Sequence, residues 1–323
     1  MNGEPGRTRT PWRRRLLWGA LVAVLAVAGS AVGVSLYVGW QLTHPVRKAL
    51  TGTLADAGLA YEAITFPSVG DEEPLTLRGW YLAARANGAK PKPGVIVFAH
   101  GYRQNRLQED VPALALARDL VRAGYDVLLF DFRNSGQSPG RLTTVGILEQ
   151  RDLLGAVRYA RERRPDARVG LLGFSMGAAT AIQVAAASPD VAAVVADSPF
   201  ADLKAYLREN LSVWSGLPHS PFTPLILSLI PPLIGADPEA MSPVRAVAAF
   251  DGRPLLLIHG TADTKIPLAD SRAIARQAQG HAEVELWTVE GADHVKAYAR
   301  DPAVYTKKVL AFFDQHLGSS RSY

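Results

Sequence analysis

Short apolar runs alternate with amphipathic stretches along most of this 323-residue chain. Eight apolar runs predict β-strands, at residues 61–66, 75–82, 95–99, 127–130, 169–172, 193–196, 255–258 and 284–289. The last six are dense in Val, Leu, Ile and Phe without alternation, which is typical of parallel strands buried on both faces. Between the runs, helices are predicted at residues 111–123, 148–163, 176–187, 269–279 and 302–317. This order predicts an α/β fold with a mostly parallel, doubly wound sheet, and the first two strands as an antiparallel hairpin at one edge.

One connection between predicted strands is too long to be a simple crossover. Residues 199–252 contain two helix-like stretches, at 201–214 and 221–234, and no buried strand. We expect a helical cap, inserted at about 199–243, over the carboxyl ends of the strands. Apolar residues of the cap are candidates for the wall of a substrate pocket: Phe200, Leu203, Tyr206, Leu207, Trp214 and Phe222. For any single one of them, packing of the cap onto the core is the favoured interpretation.

A second feature is a run of 24 uncharged residues, 16–39, which directly follows three arginines. At about 1.5 Å per residue, a helix of this length exceeds a hydrocarbon core of about 30 Å. The pattern predicts a transmembrane signal-anchor over 16–40, after a basic cytoplasmic leader over 1–15 and before a linker over 41–59. The α/β domain over 60–323 would follow. The excess of arginine before the span predicts a cytoplasmic N-terminus and an extracytoplasmic body. The alternative is a signal peptide cleaved near Ala28, with the body secreted.

The net charge of +5 belongs to this N-terminal region and not to the body. Residues 1–48 hold seven basic residues and one acidic residue, whereas the remaining 275 hold 28 basic and 29 acidic residues. A nucleic-acid partner is therefore not expected. The chain has no cysteine, which excludes disulfides, thiolate zinc sites and a cysteine nucleophile. Its motifs indicate neither a metal nor a cofactor.

The pattern G-x-S-x-G occurs twice. The copy at 173–177 follows a predicted buried strand and leads into a predicted helix, as a nucleophile elbow requires. In the copy at 136–140 the residue after the serine is Pro139, which has no N–H to stabilise an oxyanion. Ser175 is therefore the candidate nucleophile, and Ser138 is interpreted as a loop serine.

A serine nucleophile needs a base, and the base needs an orienting carboxylate, in the chain order Ser, acid, His for this arrangement. His294 follows the last predicted strand, at the end where open α/β sheets carry their sites. Asp263 follows the strand at 255–258 and is the candidate acid, with Asp197 as the alternative. Asp293 is interpreted as a loop residue.

The segment His100-Gly101-Tyr102 ends the strand at 95–99. The backbone N–H groups of Tyr102 and Met176 would form a two-donor oxyanion hole. His100 and His259 are expected to brace loops and not to react.

Taken together, five motifs over roughly residues 60–317 resemble the α/β-hydrolase superfamily. They are His100-Gly101 with Asn105, Asp131-x-Arg133-x-x-Gly136-x-Ser138, Gly173-x-Ser175-x-Gly177, His259-Gly260-x-x-Asp263-x-x-Ile266-Pro267 and Gly291-x-x-His294. The chain is similar to membrane-anchored or exported bacterial hydrolases of the serine-aminopeptidase-like and dienelactone-hydrolase-like groups. The resemblance implies an α/β-hydrolase fold and a triad of Ser175, Asp263 and His294. Asn134 and Ser135 differ from the residues that are commoner at these positions of the second motif. This difference concerns the contacts that hold the loop in place and leaves the triad unchanged.

These residues predict a serine hydrolase that cleaves carboxylic esters through an acyl-enzyme on Ser175. A serine peptidase or amidase with the same three residues is the alternative, and a non-catalytic, membrane-tethered binding module is a further one. The expected partners are a small-molecule acyl ester or amide and, through the N-terminal helix, the lipid bilayer.

Overall fold

The computed structural model describes residues 11–54 and 58–318. Residues 1–10 of the predicted leader, 55–57 of the predicted linker and 319–323 of the predicted hydrolase domain lie outside the described residues. Eight strands form one sheet: β1 (Glu62–Pro67), β2 (Thr76–Leu82), β3 (Gly94–Ala99), β4 (Asp126–Phe130), β5 (Arg168–Phe174), β6 (Val191–Asp197), β7 (Pro254–Gly260) and β8 (Glu283–Val289).

The order of the strands is β1-β2-β4-β3-β5-β6-β7-β8. β1 pairs antiparallel with β2, and β2 antiparallel with β4, while every later pair is parallel. The edge hairpin and the mostly parallel sheet are thus confirmed. The prediction that all six later strands are buried on both faces is wrong for β8. Its residues are mostly exposed or half-buried because it is an edge strand, and charged Glu283 and Glu285 alternate there with apolar residues.

Ten α-helices are present in the described part of the chain: α1 (Pro11–Thr43), α2 (Ala113–Arg122), α3 (Glu149–Arg163), α4 (Met176–Ala187), α5 (Leu203–Ser215), α6 (His219–Ile234), α7 (Pro243–Ala246), α8 (Leu268–Ala278), α9 (Ala297–Arg300) and α10 (Pro302–Leu317). The sheet has an apolar cluster on each face. One contains Leu116 of α2 and Phe313 of α10, and the other contains Leu153 of α3, Ile182 of α4 and Ile274 of α8. Helices therefore cover both faces, as double winding requires.

α5 and α6 lie in the long connection after β6, where the cap was predicted, and the chain bends by 116° between them. α1 is long and apolar enough to cross a membrane, with a mean hydropathy of 2.2 in its most apolar window and 6% of that window buried. The part of α1 from Ala31 to its end packs on protein, against the apolar cluster of the cap around Leu211, Ile226 and Ile230, whereas residues 12–30 are exposed.

The segment after α1 is bonded to the body. The Thr143 N–H donates to the carbonyl oxygen of Thr43 at 2.8 Å, and the Arg47 guanidinium donates to the carbonyl of Gly140 at 2.5 Å. The Asn105 side-chain amide donates to the carbonyl of Ala49 at 3.0 Å. α1 is therefore held in a defined position above the carboxyl ends of the strands.

Candidate active site

Ser175 lies in the single-residue turn between β5 and α4. Its φ of 53° and ψ of −117° are a strained combination for a residue with a side chain, which costs about 1–3 kcal/mol. Two neighbouring glycines make the turn possible. A Cβ at Gly177 would lie 2.0 Å from the carbonyl oxygen of Ala99, and one at Gly173 would lie 2.4 Å from the carbonyl oxygen of Gly177. The G-x-S-x-G pattern is therefore a steric requirement of the turn that presents the serine.

The structure brings Ser175, His294 and Asp263 together in one hydrogen-bonded chain. His294 Nε2 lies 2.9 Å from Ser175 Oγ, and His294 Nδ1 lies 2.8 Å from Asp263 Oδ2. Ser175 and His294 are each 8% exposed, so water reaches the pair from one side only. The three side chains come from the loops that follow β5, β8 and β7, at the same edge of the sheet.

Asp263 is held ionised by its neighbours. Burial by itself would raise the pKa of this carboxyl, but hydrogen bonds from His259 and His294 bring it well below its usual range. Its Oδ1 also accepts the N–H groups of Lys265 and Ile266, at 2.9 and 2.8 Å. An ionised Asp263 fixes the proton of His294 on Nδ1 and leaves Nε2 free to accept the proton of Ser175.

His259 stabilises the loop after β7 that carries Asp263. Its Nδ1 lies 2.7 Å from Ser271 Oγ and its Nε2 lies 3.0 Å from the carbonyl of Ile266, while Nε2 is also 3.3 Å from Asp263 Oδ2. Although burial works against the charged imidazole, the contact with Asp263 raises the pKa of His259. His100 is buried likewise, and its Nε2 accepts the N–H of Phe132 at 3.0 Å.

Asp197, the alternative acid, does not contact His294. Its carboxylate accepts the hydroxyls of Ser198 and Tyr305, both at 2.9 Å, and its backbone carbonyl accepts the Ser175 N–H at 2.8 Å. Complete burial raises the pKa of Asp197 to about 6, despite those two hydrogen bonds. Asp293 accepts the N–H groups of Thr264 and His294 at 2.9 and 2.8 Å, which is the geometry of a loop residue.

Met176 and Tyr102 are the two residues predicted to supply the oxyanion hole. Met176 opens α4, so its N–H lacks an intrahelical acceptor. Tyr102 follows β3, and its hydroxyl donates to the carbonyl of Leu42 at 2.5 Å. Both line the same pocket as Ser175. Ser138, in the second G-x-S-x-G copy, is buried and donates to the carbonyl of Asp131 at 2.6 Å.

The pocket beside Ser175 is apolar and is closed by the cap. Its lining residues are Leu42, Tyr102, Val145, Ser175, Met176, Phe200, Tyr206, Leu207, Leu211, Trp214 and Ile266. Among the six predicted wall residues, Phe200, Tyr206, Leu207 and Trp214 line it. Leu203 is buried between the cap and the body, and Phe222 lies half-buried on α6 away from the pocket.

Sequence reasoning missed several wall residues. Leu211 is four residues after Leu207 on α5, so helical periodicity could have found it. Leu42 comes from the end of α1, 133 positions before Ser175, and no local pattern connects the two. In the described residues, no cluster of three or more His, Cys, Asp or Glu could hold a metal ion.

Comparison with known proteins agrees with this architecture. Residues 94–223, from β3 into the cap, match the family described as alpha/beta hydrolase fold. The chain has an α/β-hydrolase fold. A solved structure of the Pyrococcus furiosus esterase Pf2001 is similar to it, with a TM-score of 0.69 and 27% identity, over 85% of this chain and 100% of that one. The acylaminoacyl peptidase of Pyrococcus horikoshii shares the fold, with a TM-score of 0.60 and 19% identity, over 85% of this chain and 45% of that one.

Among curated proteins, this α/β hydrolase is similar to the uncharacterized protein YqkD of Bacillus subtilis. The two are 27% identical over 305 residues, which cover 92% of this chain and 95% of YqkD. It is also 26% identical over 213 residues to human protein ABHD12B, covering 63% of this chain and 55% of that protein. The fold and the esterase and peptidase neighbours support hydrolase activity.

Proposed function

We propose that this α/β hydrolase is a serine hydrolase that cleaves carboxylic esters. The observation that carries the proposal is the hydrogen-bonded chain from Ser175 through His294 to Asp263, with both distances below 3 Å. Such a chain of nucleophile, base and orienting acid is what activates a serine hydroxyl.

In the proposed reaction, His294 Nε2 takes the hydroxyl proton as Ser175 Oγ attacks the acyl carbonyl. The N–H groups of Tyr102 and Met176 stabilise the oxyanion, and Asp263 stabilises the imidazolium. Protonated His294 then returns its proton to the leaving alcohol, which departs and leaves an acyl group on Ser175. A water molecule activated by His294 releases the acid and restores the serine.

The pocket favours an ester over a peptide with a free amino terminus. An aminopeptidase must hold the substrate's α-ammonium group, for which a carboxylate is the usual partner. No acidic side chain occurs among the residues that line the pocket in the described structure. The walls instead suit an acyl chain or another apolar group. Pf2001, which is 27% identical, is described as an esterase.

Labelling with a fluorophosphonate tests the serine hydrolase directly. We expect the full-length protein to be labelled and Ser175→Ala to remain unlabelled. Ser188→Ala, at the other end of α4, is the matched control and should be labelled like the parent. Absence of label on the folded parent, or equal label on Ser175→Ala, would contradict the proposal and favour a non-catalytic binding module.

Turnover of paired substrates separates ester from amide chemistry. We expect p-nitrophenyl esters with four to eight acyl carbons to be hydrolysed faster than aminoacyl p-nitroanilides. The reverse order in the parent protein, abolished by Ser175→Ala, would identify a peptidase or amidase instead.

For location, we propose that α1 is an uncleaved signal-anchor, with the N-terminus in the cytoplasm and the catalytic body outside. The bonds from the body to Thr43, Arg47 and Ala49 support an anchor that stays attached. Protease added to intact cells should then digest the body, and membrane fractions should contain the full-length chain. A shortened chain in the medium would instead indicate cleavage and secretion.

A further inference from the structure

The cap helix α6 is apolar on its outer side. Residues 220–236, which include nearly all of α6, carry no charged side chain. Four of its residues fall on one helical face that is half-buried or exposed: Phe222, Leu225, Leu229 and Leu233. Leu233 is 64% exposed. The outer face of a helix on a soluble body is ordinarily polar, so this stripe calls for an apolar environment.

The adjoining face of α6, which carries Ile226 and Ile230, packs on small residues of α1. Ala31, Ser35 and Gly39 follow one another at intervals of four, and Ser35 is fully buried. A Cβ at Gly39 would lie 2.3 Å from Ile230 Cγ1, so the two helices are in close contact there. Small residues spaced by four are typical of helices that pack against each other within membranes.

The contact with α1 also gives the depth of α6. An apolar groove between the two helices is lined by Pro221 and Leu225 of α6 and by residues of α1 from Ala23 to Val32. Val32 and Ala23 precede Trp40, the end of the predicted span, by about 12 and 26 Å at about 1.5 Å per residue. The first turns of α6 therefore lie beside the middle of the segment that would cross the bilayer.

We propose that α6 is inserted into the outer half of the lipid bilayer beside α1, with lipid acyl chains covering its apolar stripe. The proposal rests on the proposed anchor role of α1. α5 differs from α6, since its exposed residues include the charged pair Arg208 and Glu209. α5 is joined to the deeper end of α6, where His219 Nε2 lies 2.9 Å from the carbonyl of Arg208. Because the chain bends by 116° there, α5 leads back toward the polar headgroups, which the long side chain of Arg208 can reach.

The absence of cysteine from the chain makes a direct test possible. Single substitutions Leu225→Cys and Leu233→Cys report on α6, Leu25→Cys reports on α1, and Val304→Cys, on the exposed side of α10, is the aqueous control. Each full-length variant is spin-labelled and reconstituted into phosphatidylcholine–phosphatidylglycerol vesicles. Power saturation then compares collisions with oxygen, which concentrates in hydrocarbon, and with a water-soluble nickel chelate. Each variant is first required to show the thermal transition of the parent.

We expect the oxygen-to-nickel collision ratio at positions 225, 233 and 25 to exceed that at position 304 at least fivefold. A high ratio at 25 together with a low ratio at 225 and 233 would overturn the insertion of α6 and leave the anchor intact. A low ratio at 25 would overturn both. Labels at 225 and 233 that neither reagent reaches would show that protein, such as a second copy, covers the stripe, and would also overturn the proposal.

Discussion

At the scale of single residues, the site contains two buried aspartates at the ends of neighbouring strands with opposite electrostatic environments. Asp263 accepts bonds from two histidines, which bring its pKa well below the usual range, whereas burial raises the pKa of Asp197 to about 6. The first is suited to stabilising a cation on His294. The second is suited to holding the Ser198 and Tyr305 hydroxyls in place.

The two aspartates should therefore respond differently to the same substitution. We predict that Asp263→Asn lowers kcat for a p-nitrophenyl ester by about 10³–10⁴-fold, because the amide no longer selects the required tautomer of His294. Asp197→Asn, the matched variant, should keep kcat within about tenfold and reduce stability instead. Equal losses of kcat in the two variants, with unchanged thermal transitions, would contradict the choice of Asp263 as the acid.

Away from the site, Asp71 predicts a pH-dependent contribution to stability. Burial acts to raise its pKa, but hydrogen bonds from Arg133, Ser68 and Arg151 lower it to about 2 from a model-peptide value of 3.8. A carboxyl with a lowered folded-state pKa stabilises the fold above its unfolded-state pKa and loses this effect as the pH falls through the folded value. We predict that Asp71→Asn lowers the free energy of unfolding by about 2 kcal/mol at pH 7.

Urea unfolding of parent and variant at pH 7, 4 and 3 measures this contribution. The difference between the two proteins should shrink as the pH falls below 4 and vanish only about one pH unit below the folded-state pKa of about 2. A difference that is the same at every pH would show that Asp71 acts through packing and not through its charge.

At the scale of elements, the turn from β5 to α4 depends on glycine more than on any side chain. A methyl group at position 177 would lie 2.0 Å from a backbone oxygen, which no side-chain movement can relieve. We predict that Gly177→Ala costs about 3 kcal/mol of stability and abolishes fluorophosphonate labelling. Gly29→Ala, on the exposed part of α1 with nothing within 4 Å, should change neither. Normal labelling of Gly177→Ala would show that the turn is less closely packed than described.

The sequence predicts those features of the structure that depend on residues close together in the chain, and not those that depend on contacts between distant residues. The strand that leads to Ser175 was predicted at 169–172 and extends over Arg168–Phe174, because a buried parallel strand has a local pattern. The apolar residues of β8 predict a strand that is buried on both faces, but β8 is an edge strand and is mostly exposed or half-buried. Which strand lies at the edge depends on the topology of the whole chain, and no local pattern shows it. The approach of Leu42 to Ser175 follows from the docking of α1, a contact across the whole chain that no periodicity encodes.

At the scale of the whole molecule, the contact between α1 and the cap joins two parts of the chain that are distant in sequence. We predict that Gly39→Leu pushes α6 away from α1, since even a Cβ at this position would lie 2.3 Å from Ile230. The expected results for the detergent-solubilised protein are a free energy of unfolding lower by about 1–3 kcal/mol and faster protease cleavage in the turn between α5 and α6. Gly33→Leu, at an α1 position with open space around it, is the control. Equal cleavage of both variants would contradict this role of the contact.

If α1 is the membrane anchor proposed above, the bonded segment after it also determines where catalysis takes place. A flexible tether would let the body explore a volume that grows with the length of the tether. Here the end of α1 forms part of the pocket and the following residues are bonded to the body, so Ser175 stays at one height above the anchoring surface. An enzyme anchored in this way meets a membrane-resident substrate by lateral diffusion within a thin layer. For such a substrate the effective concentration is a surface density, and dilution of the surrounding solution leaves it unchanged.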